Sequence, residues 1–539
     1  MTRGFARGIV TFGVFCGALA AFAAVFVVLA FGVGALQLWQ AEWKPQGETD
    51  LRFTEVDLPF ENALDPEISL PFMAAAAIDI DGDGREELFL GGGRGQADGL
   101  FRFEGDALVP MDDVYAIEKS ENDATHGAAS IDVDGDGRID LFTARESGVW
   151  LHMNRGHGFD SRNLDLPIDD NTTPLSIALG DVNKDGRVDF YVSGYIRNDL
   201  VEGQSIFTRP YGGYSYLFVN DGDNAWRDAT KEAGLWRQHN TFTAVFVDLD
   251  NDLDSDLVIA QDTGVVEMYE NTGAFPMRPI ENPSVYSYPM GIAAGDYDND
   301  GLIDLYFSNV GHTLPANVLR GDLTDDAPFH PDFMMFHNDG GLKFSDRSKG
   351  TRTARLGFGW GAAFADLDLD GREDLLIAQN YAKFPANGLI HRYACKIMLQ
   401  YADGAFRPVE KRSGAANRHF ALAPIVADFS GDGAPDFIWA NLSGPSRAFI
   451  SNGAAGDALT VKLTDGAGSL GAIVEATTPD GRVLTKQAVA SQGLGSDQTS
   501  DLIFGLGEAS GADVRVRFQD GAVLDFPDVN AGETITVVH

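Results

Sequence analysis

Cysteine is nearly absent: the 539 residues hold two, Cys16 in an apolar N-terminal stretch and Cys395 far from it. That excludes a disulfide framework and a thiolate metal centre. Positive charge is scarce as well, with 40 Lys and Arg against 80 Asp and Glu and a net charge of -40. A surface of that sign repels phosphate backbones, so no nucleic acid partner is expected. GxSxG, HExxH and phosphate-binding glycine loops are missing. With no nucleophile nominated, the expectation is a protein that is not an enzyme.

What the chain has instead is glycine, 62 of them with 22 Pro, and acidic clusters set between apolar runs. Residues 9–36 form the one long uncharged stretch, longer than the roughly 20 residues a membrane helix needs. A cleaved signal peptide is the competing reading, but its apolar core is shorter, about 7 to 15 residues. Arg3 and Arg7 precede the stretch while Glu42, Lys44, Glu48 and Asp50 follow it, which would keep the N-terminus in the cytoplasm. The expectation is a single-pass membrane protein in contact with the lipid bilayer: residues 1–8 a cytoplasmic tail, 9–36 a transmembrane helix, 37–50 a linker, and the bulk outside, in a bacterial periplasm. Gly13 and Gly17 form a GxxxG, which can bring two such helices together as a dimer.

One nine-residue phrase recurs seven times, beginning at Asp79, Asp132, Asp181, Asp248, Asp296, Asp366 and Asp428. The intervals of 53, 49, 67, 48, 70 and 62 residues match the size of a propeller blade of four short strands. Position 3 is Asp81, Asp134, Asn183, Asp250, Asp298, Asp368 and Ser430, and position 5 is Asp83, Asp136, Asp185, Asp252, Asp300, Asp370 and Asp432. Position 7, which would offer its carbonyl, is Arg85, Arg138, Arg187, Asp254, Leu302, Arg372 and Ala434. Position 9 is Glu87, Asp140, Asp189, Asp256, Asp304, Asp374 and Asp436. Oxygen donors at this spacing around a tight turn suit calcium, which takes six to eight hard oxygen ligands, better than magnesium with its strict octahedron. Plain Asp-Gly turns would leave carboxylates about 5 Å apart repelling by roughly 3 kcal/mol per pair. An EF-hand would need a bidentate Glu at position 12, where Leu90, Thr143 and Trp439 stand instead.

Each loop joins two apolar strands, as in TAVFV before and DLVIA after the fourth, and two more strands follow in most repeats. The seventh repeat lacks a fourth strand, whereas LRFTEV at 51–56 resembles one with no repeat before it. The expected fold is all-β: a seven-bladed β-propeller over 51–456 with up to seven calcium-binding loops, closed by the N-terminal strand. A small C-terminal β-sandwich-like domain over 457–539 and one transmembrane helix complete it.

The loop and the strand after it resemble the FG-GAP, or VCBS, repeats of integrin α-subunit propellers, which implies a calcium-loaded ring. GAGSLGAIVEATTPDGR and SQGLGSDQTSDLIFGLGEA in the tail resemble the ASPIC/UnbV domain of the cartilage acidic protein-like family. Asn183 and Ser430 depart from the pattern with neutral ligands, so the third and seventh sites are expected to be weakest; Leu253 replaces the usual Gly in the fourth loop.

The longer intervals come from inserts at 196–214, 311–333 and 380–394, opposite the acidic turns. They carry Phe207, Tyr211, Tyr214, Phe329, His330, Phe333, Tyr381, Phe384, His391 and Tyr393. Aromatic loops on one rim make a surface for a protein or glycan ligand at the cell envelope, the function expected here. A hydrolase or biosynthetic accessory enzyme built on the ring is the alternative. It would use the channel, which His126, His239 and His419 could approach from similar positions in their repeats.

Overall fold

The computed structural model describes residues 45–539 apart from 112–114, 118, 315, 381–392, 454–455 and 465. Apolar, β-prone runs flank each acidic turn, and each turn joins two antiparallel strands. Ala75–Ile78 pairs with Glu87–Leu90 around the first, and Thr125–Ile131 with Asp140–Arg145 around the second. Further strands extend every pair into a four-stranded antiparallel unit, and there are seven such units. In the seventh, the fourth strand is Phe53–Val56, which pairs with Arg447–Ser451 so that Phe53 faces Ser451 and Val56 faces Ala448. The ends of the ring are thus hydrogen-bonded to each other, removing an open sheet edge.

The first strands, from Ala75–Ile78 through Phe420–Ala427, stand side by side in a closed order: each touches the next, and the seventh touches the first. Their small residues permit that crowding. A Cβ on Gly127 would meet the Leu175 carbonyl oxygen at 2.2 Å, and one on Gly361 would meet that of Leu422 at 2.8 Å. Farther out, aromatic side chains fill the wedge between neighbouring sheets. Phe190 lies 5.5 Å from Phe142 of the preceding unit and 5.4 Å from Phe218 of its own. All three are buried, each contributing about 1.5–3 kcal/mol of apolar burial.

The tail folds as two sheets around one core. Asp457–Leu463 lies between Leu502–Gly507 and Thr534–Val537, and a second sheet runs from Val483–Gln487 through Ile473–Thr477 and Gly511–Arg517 to Val523–Asn530. Leu459, Val461, Val474, Phe504 and Val516 are buried between them. One tail segment, 487–499, enters the ring from the side of the acidic turns. Ser496–Asp497 adds to Ala75–Ala76 as a parallel strand, and the backbone of Gly493 exchanges two hydrogen bonds with Ile292. Gln492 accepts from Ala294 N–H at 2.9 Å, and Gln498 from Val426 N–H at 3.0 Å. Side-chain amides here satisfy inner-strand donors that have no neighbour strand.

The expected single-pass membrane location is corrected. No helix among the described residues is long and apolar enough to cross a membrane; the α-helix Ala316–Leu319 has four residues, where a span needs about 20. The stretch 9–36, with the residues 1–8 before it and the GxxxG inside it, lies outside the described residues. The lipid contact and the helix-mediated dimer therefore find no support.

Candidate metal loops and the face opposite

All seven turns share one local architecture. The position-1 carboxylate curls the chain by accepting backbone N–H groups ahead of it. In the second loop Asp132 accepts from Gly135 at 2.8 Å and Gly137 at 2.7 Å, and in the seventh Asp428 accepts from Gly431 and Gly433 at 2.8 and 2.7 Å. The turn takes left-handed backbone at positions 4 and 6; glycine supplies it at position 6 in six loops, but at position 4 only in the first, second and seventh, where Lys184, Asn251, Asn299 and Leu369 serve in the others. Asn251 and Leu253 do so at φ 63° and 70° in the fourth. The position-5 carboxylate accepts from the position-7 N–H, as Asp252 does from Asp254 at 2.8 Å.

These turns gather carboxylates. Oxygens of Asp79, Asp81 and Glu87 lie within 4.8 Å of one another, as do those of Asp132, Asp134 and Asp136, of Asp248, Asp250 and Asp252, and of Asp296, Asp298 and Asp304. Burial first, and then the neighbouring carboxylates, raise Asp248 and Asp368 to about 6 and Asp296 to about 7. Asp250 Oδ1, Asp368 Oδ1 and Glu87 Oε1 are buried with no hydrogen-bond partner. Hard anionic oxygens, converging, desolvated and in part unpartnered, fit a divalent oxygen-loving cation. In the third and seventh loops the neutral position-3 residues behave differently: Asn183 donates to Asp185 at 2.9 Å and Ser430 to Asp428 at 3.4 Å.

The position-9 residues have a second task. Asp256 accepts from Leu249 N–H at 3.1 Å with one oxygen and from Asn271 N–H of the third strand at 2.8 Å with the other. Asp140, Asp189, Asp304 and Asp374 repeat the arrangement. Position 9 therefore clips the loop to its sheet. At position 7, Arg85 pairs with Asp83 at 3.1 Å, and Arg138, Arg187 and Arg372 pair with Asp136, Asp185 and Asp370. Leu302 and Ala434 offer backbone alone.

Sequence reasoning missed the residue closing each third strand. Asn154, Asn271 and Asn338 donate through Nδ2 to the carbonyls of Ile80, Val182 and Leu249 at 2.7–2.9 Å, and Gln400 donates to Tyr297. Each acceptor is position 2 of the preceding unit's loop, so in these four units an amide staples the third strand to the neighbouring loop. The signal was the Asn that recurs before the third turn in several units. His337 was also missed: its Nε2 lies 2.9 Å from Asp298 of the fifth loop.

The histidines singled out earlier are each held by their own surroundings. His126 is buried, and burial pushes its pKa down to about 4; His239, also lowered to about 4 by burial, hydrogen-bonds the Asn240 carbonyl at 2.8 Å. Of the insert aromatics, Phe207 packs on Tyr288 and Phe329, while Phe333 and Tyr393 are buried. Tyr381, Phe384 and His391 lie outside the described residues.

A ring of sheets with this loop matches the FG-GAP-like repeat over residues 132–192 and 248–307, and the tail matches the ASPIC and UnbV domain over 465–539. Over those residues the chain carries FG-GAP-like repeats and an ASPIC and UnbV domain. It is related to cartilage acidic protein 1. The human protein (Homo sapiens) is 26% identical over 366 residues, covering 62% of this chain and 52% of that one. The Mus musculus protein is 26% identical over 332 residues, covering 57% and 48%. The chain spans about half the length of the curated relatives it matches. Among solved structures it resembles rhamnogalacturonan lyase YesW, with 12% identity and a TM-score of 0.38 over 76% of this chain and 74% of that one. The V. cholerae biofilm matrix protein Bap1 matches with 11% identity and a TM-score of 0.31, over 90% and 63%.

Proposed function

We propose that the ring is a seven-bladed propeller whose loops hold up to seven calcium ions, and that it acts as a calcium-dependent binding module for a protein or glycan ligand. The observation that carries this reading is the set of converging loop carboxylates, three of whose buried oxygens have no hydrogen-bond partner. A bound cation offsets such a cluster while leaving its carboxylates ionised. The ligand face is the mouth opposite the loops, because the tail covers the loop side. The alternative, a hydrolase or biosynthetic accessory enzyme, would need a polar constellation free to meet substrate at the centre, where Gln492, Asp497 and Gln498 of the tail are already hydrogen-bonded to the inner strands.

The test is elemental analysis of the purified chain with thermal unfolding in calcium and in chelator. Several calcium ions per chain and a melting temperature that falls on chelation are expected. A metal-free chain whose melting ignores chelator refutes the reading. The third and seventh loops, with neutral position-3 residues, are expected to lose calcium first.

A further inference from the structure

At the mouth away from the acidic turns, a cavity of about 360 Å³ opens between residues 70–72 and units three to six. Its walls are aromatic. Phe72 sits 6.0 Å from Tyr195, 5.8 Å from Phe242 and 6.2 Å from Trp360, with Tyr288 and Phe358 beside them. Into this setting comes one carboxylate, Asp262, just past the second strand of unit four (Asp256–Gln261). It accepts a hydrogen bond from Tyr195 Oη at 2.6 Å. Among the described residues no lysine, arginine or histidine forms an ion pair with it. Asp98, another deeply placed acid near this end of the sheets, has both Lys119 and Arg145 against it. Burial lifts the Asp262 carboxyl to about 6, so it is ionised at neutral pH.

A fixed anion among aromatic faces selects for a cation. An aromatic ring that meets a cation with its face adds its quadrupole to the carboxylate's attraction, and the chain's net charge of -40 steers cations inward and anions away. The volume lies at the small end of ligand sites, which run from roughly 300 to 1,000 Å³, enough for one long side chain. Around the opening stand exposed apolar residues: Val201 and Val318 are 44% and 52% exposed, and Leu200 and Ile68 stand exposed nearby. A small polar cation in water has no use for such a collar; an apolar protein surface carrying one basic residue matches it.

We propose that this cavity receives a lysine or arginine side chain presented by a protein partner on an otherwise apolar surface. The inference rests on the reading of the ring as a binding module and names the chemistry of its partner.

Isothermal titration of the full chain with acetyl-Leu-Lys-Leu-amide, and with counterparts carrying norleucine or glutamate in place of lysine, tests it. The lysine peptide is expected to bind saturably and the norleucine peptide at least about tenfold more weakly, with the glutamate peptide giving no response. Asp262→Asn keeps an acceptor for Tyr195 and is expected to reduce lysine-peptide binding to the norleucine level. Equal binding of lysine and norleucine peptides overturns the proposal. So does the absence of saturable binding at millimolar peptide, or an Asp262→Asn chain that melts like the parent and binds unchanged. The peptide series uses the unsubstituted chain, so it decides even where the variant fails to fold. Calcium content measured on the same sample separates the two readings. A calcium-loaded chain indifferent to peptide charge sinks this inference alone, whereas a calcium-free chain that prefers lysine sinks the calcium scaffold alone.

Discussion

Asp250→Asn should change stability in opposite directions with and without calcium. Asp250 is position 3 of the fourth loop. Its oxygens lie within 4.8 Å of those of Asp248 and Asp252, and its Oδ1 is buried without a partner. At that separation and an effective dielectric near 20, each carboxylate pair repels by roughly 3 kcal/mol, and solvent at this partly exposed turn cuts the figure to about 1. Without metal, asparagine removes two such repulsions and adds a donor, as Asn183 does toward Asp185 in the third loop. A gain of about 2 kcal/mol follows. In excess calcium the balance reverses. A site held at a hundred times its dissociation constant contributes about 2.7 kcal/mol, and losing an anionic ligand forfeits much of it. Thermal melting in chelator should rise for the variant and in millimolar calcium should fall. A shift of the same sign in both conditions refutes the reasoning, since a loop that is only a turn gains from the substitution whether or not calcium is present.

Other perturbations probe the rest of the molecule. Asp98→Asn removes the carboxylate paired with both Lys119 and Arg145, 3% and 0% exposed, so denaturant unfolding should report a loss of about 3–5 kcal/mol. Burial raises the Asp98 pKa, but Lys119 and Arg145 outweigh it and hold the group below the ordinary carboxylate range. Its stabilisation is therefore complete above that range and is lost as pH falls below it, which an acid titration of stability would show. Leu253→Gly should raise the unfolding free energy read from urea titration by about 1 kcal/mol, because Leu253 sits at φ 70°, a left-handed conformation that costs an L-residue that much. Asp497 accepts from Ser130 N–H and Ser491 N–H, both at 2.7 Å, with different oxygens. Asp497→Asn should leave one buried donor unmet at about 1–3 kcal/mol, speeding amide exchange in 488–500 while that of Asp374–Gln379 stays unchanged.

How much of this was legible in the sequence depended on range. The turn is local: Asp, Asp, Asp and Gly within six residues dictate its hydrogen bonds, so seven copies could be read directly. The closing strand was legible because Phe53–Val56 had strand character and no unit of its own. The amide staples were not, because Asn154 and Ile80 are 74 residues apart and Asn338 and Leu249 are 89 apart; an asparagine before a turn looks like turn chemistry until the neighbouring unit is in place. Position 9 was read as a ligand for its carboxylate alone, and its clip to the third strand needed the sheet. Asp262 gave no signal at all, since its meaning comes from Tyr195, 67 residues earlier, and from aromatic residues of several other units.

The placement of the tail follows from the charge of the ring. Seven acidic loops on one side make a surface that repels itself, and the tail brings fixed cations to it. Lys462 donates to the Gly84 carbonyl of the first loop at 2.9 Å and pairs with Asp501; Lys486 pairs with Glu373 in the sixth, and Arg482 donates to the Asp370 carbonyl at 3.3 Å. These contacts stabilise the docked tail only while the loops keep the shape that presents those carbonyls and carboxylates, and metal bound within a loop fixes that shape. On the proposed reading, calcium in the loops would therefore favour tail docking through loop geometry even though both bring positive charge. With the loop side so occupied, the mouth that remains is the one where the aromatic walls, the apolar collar and Asp262 meet, and the proposed binding would have to be built there.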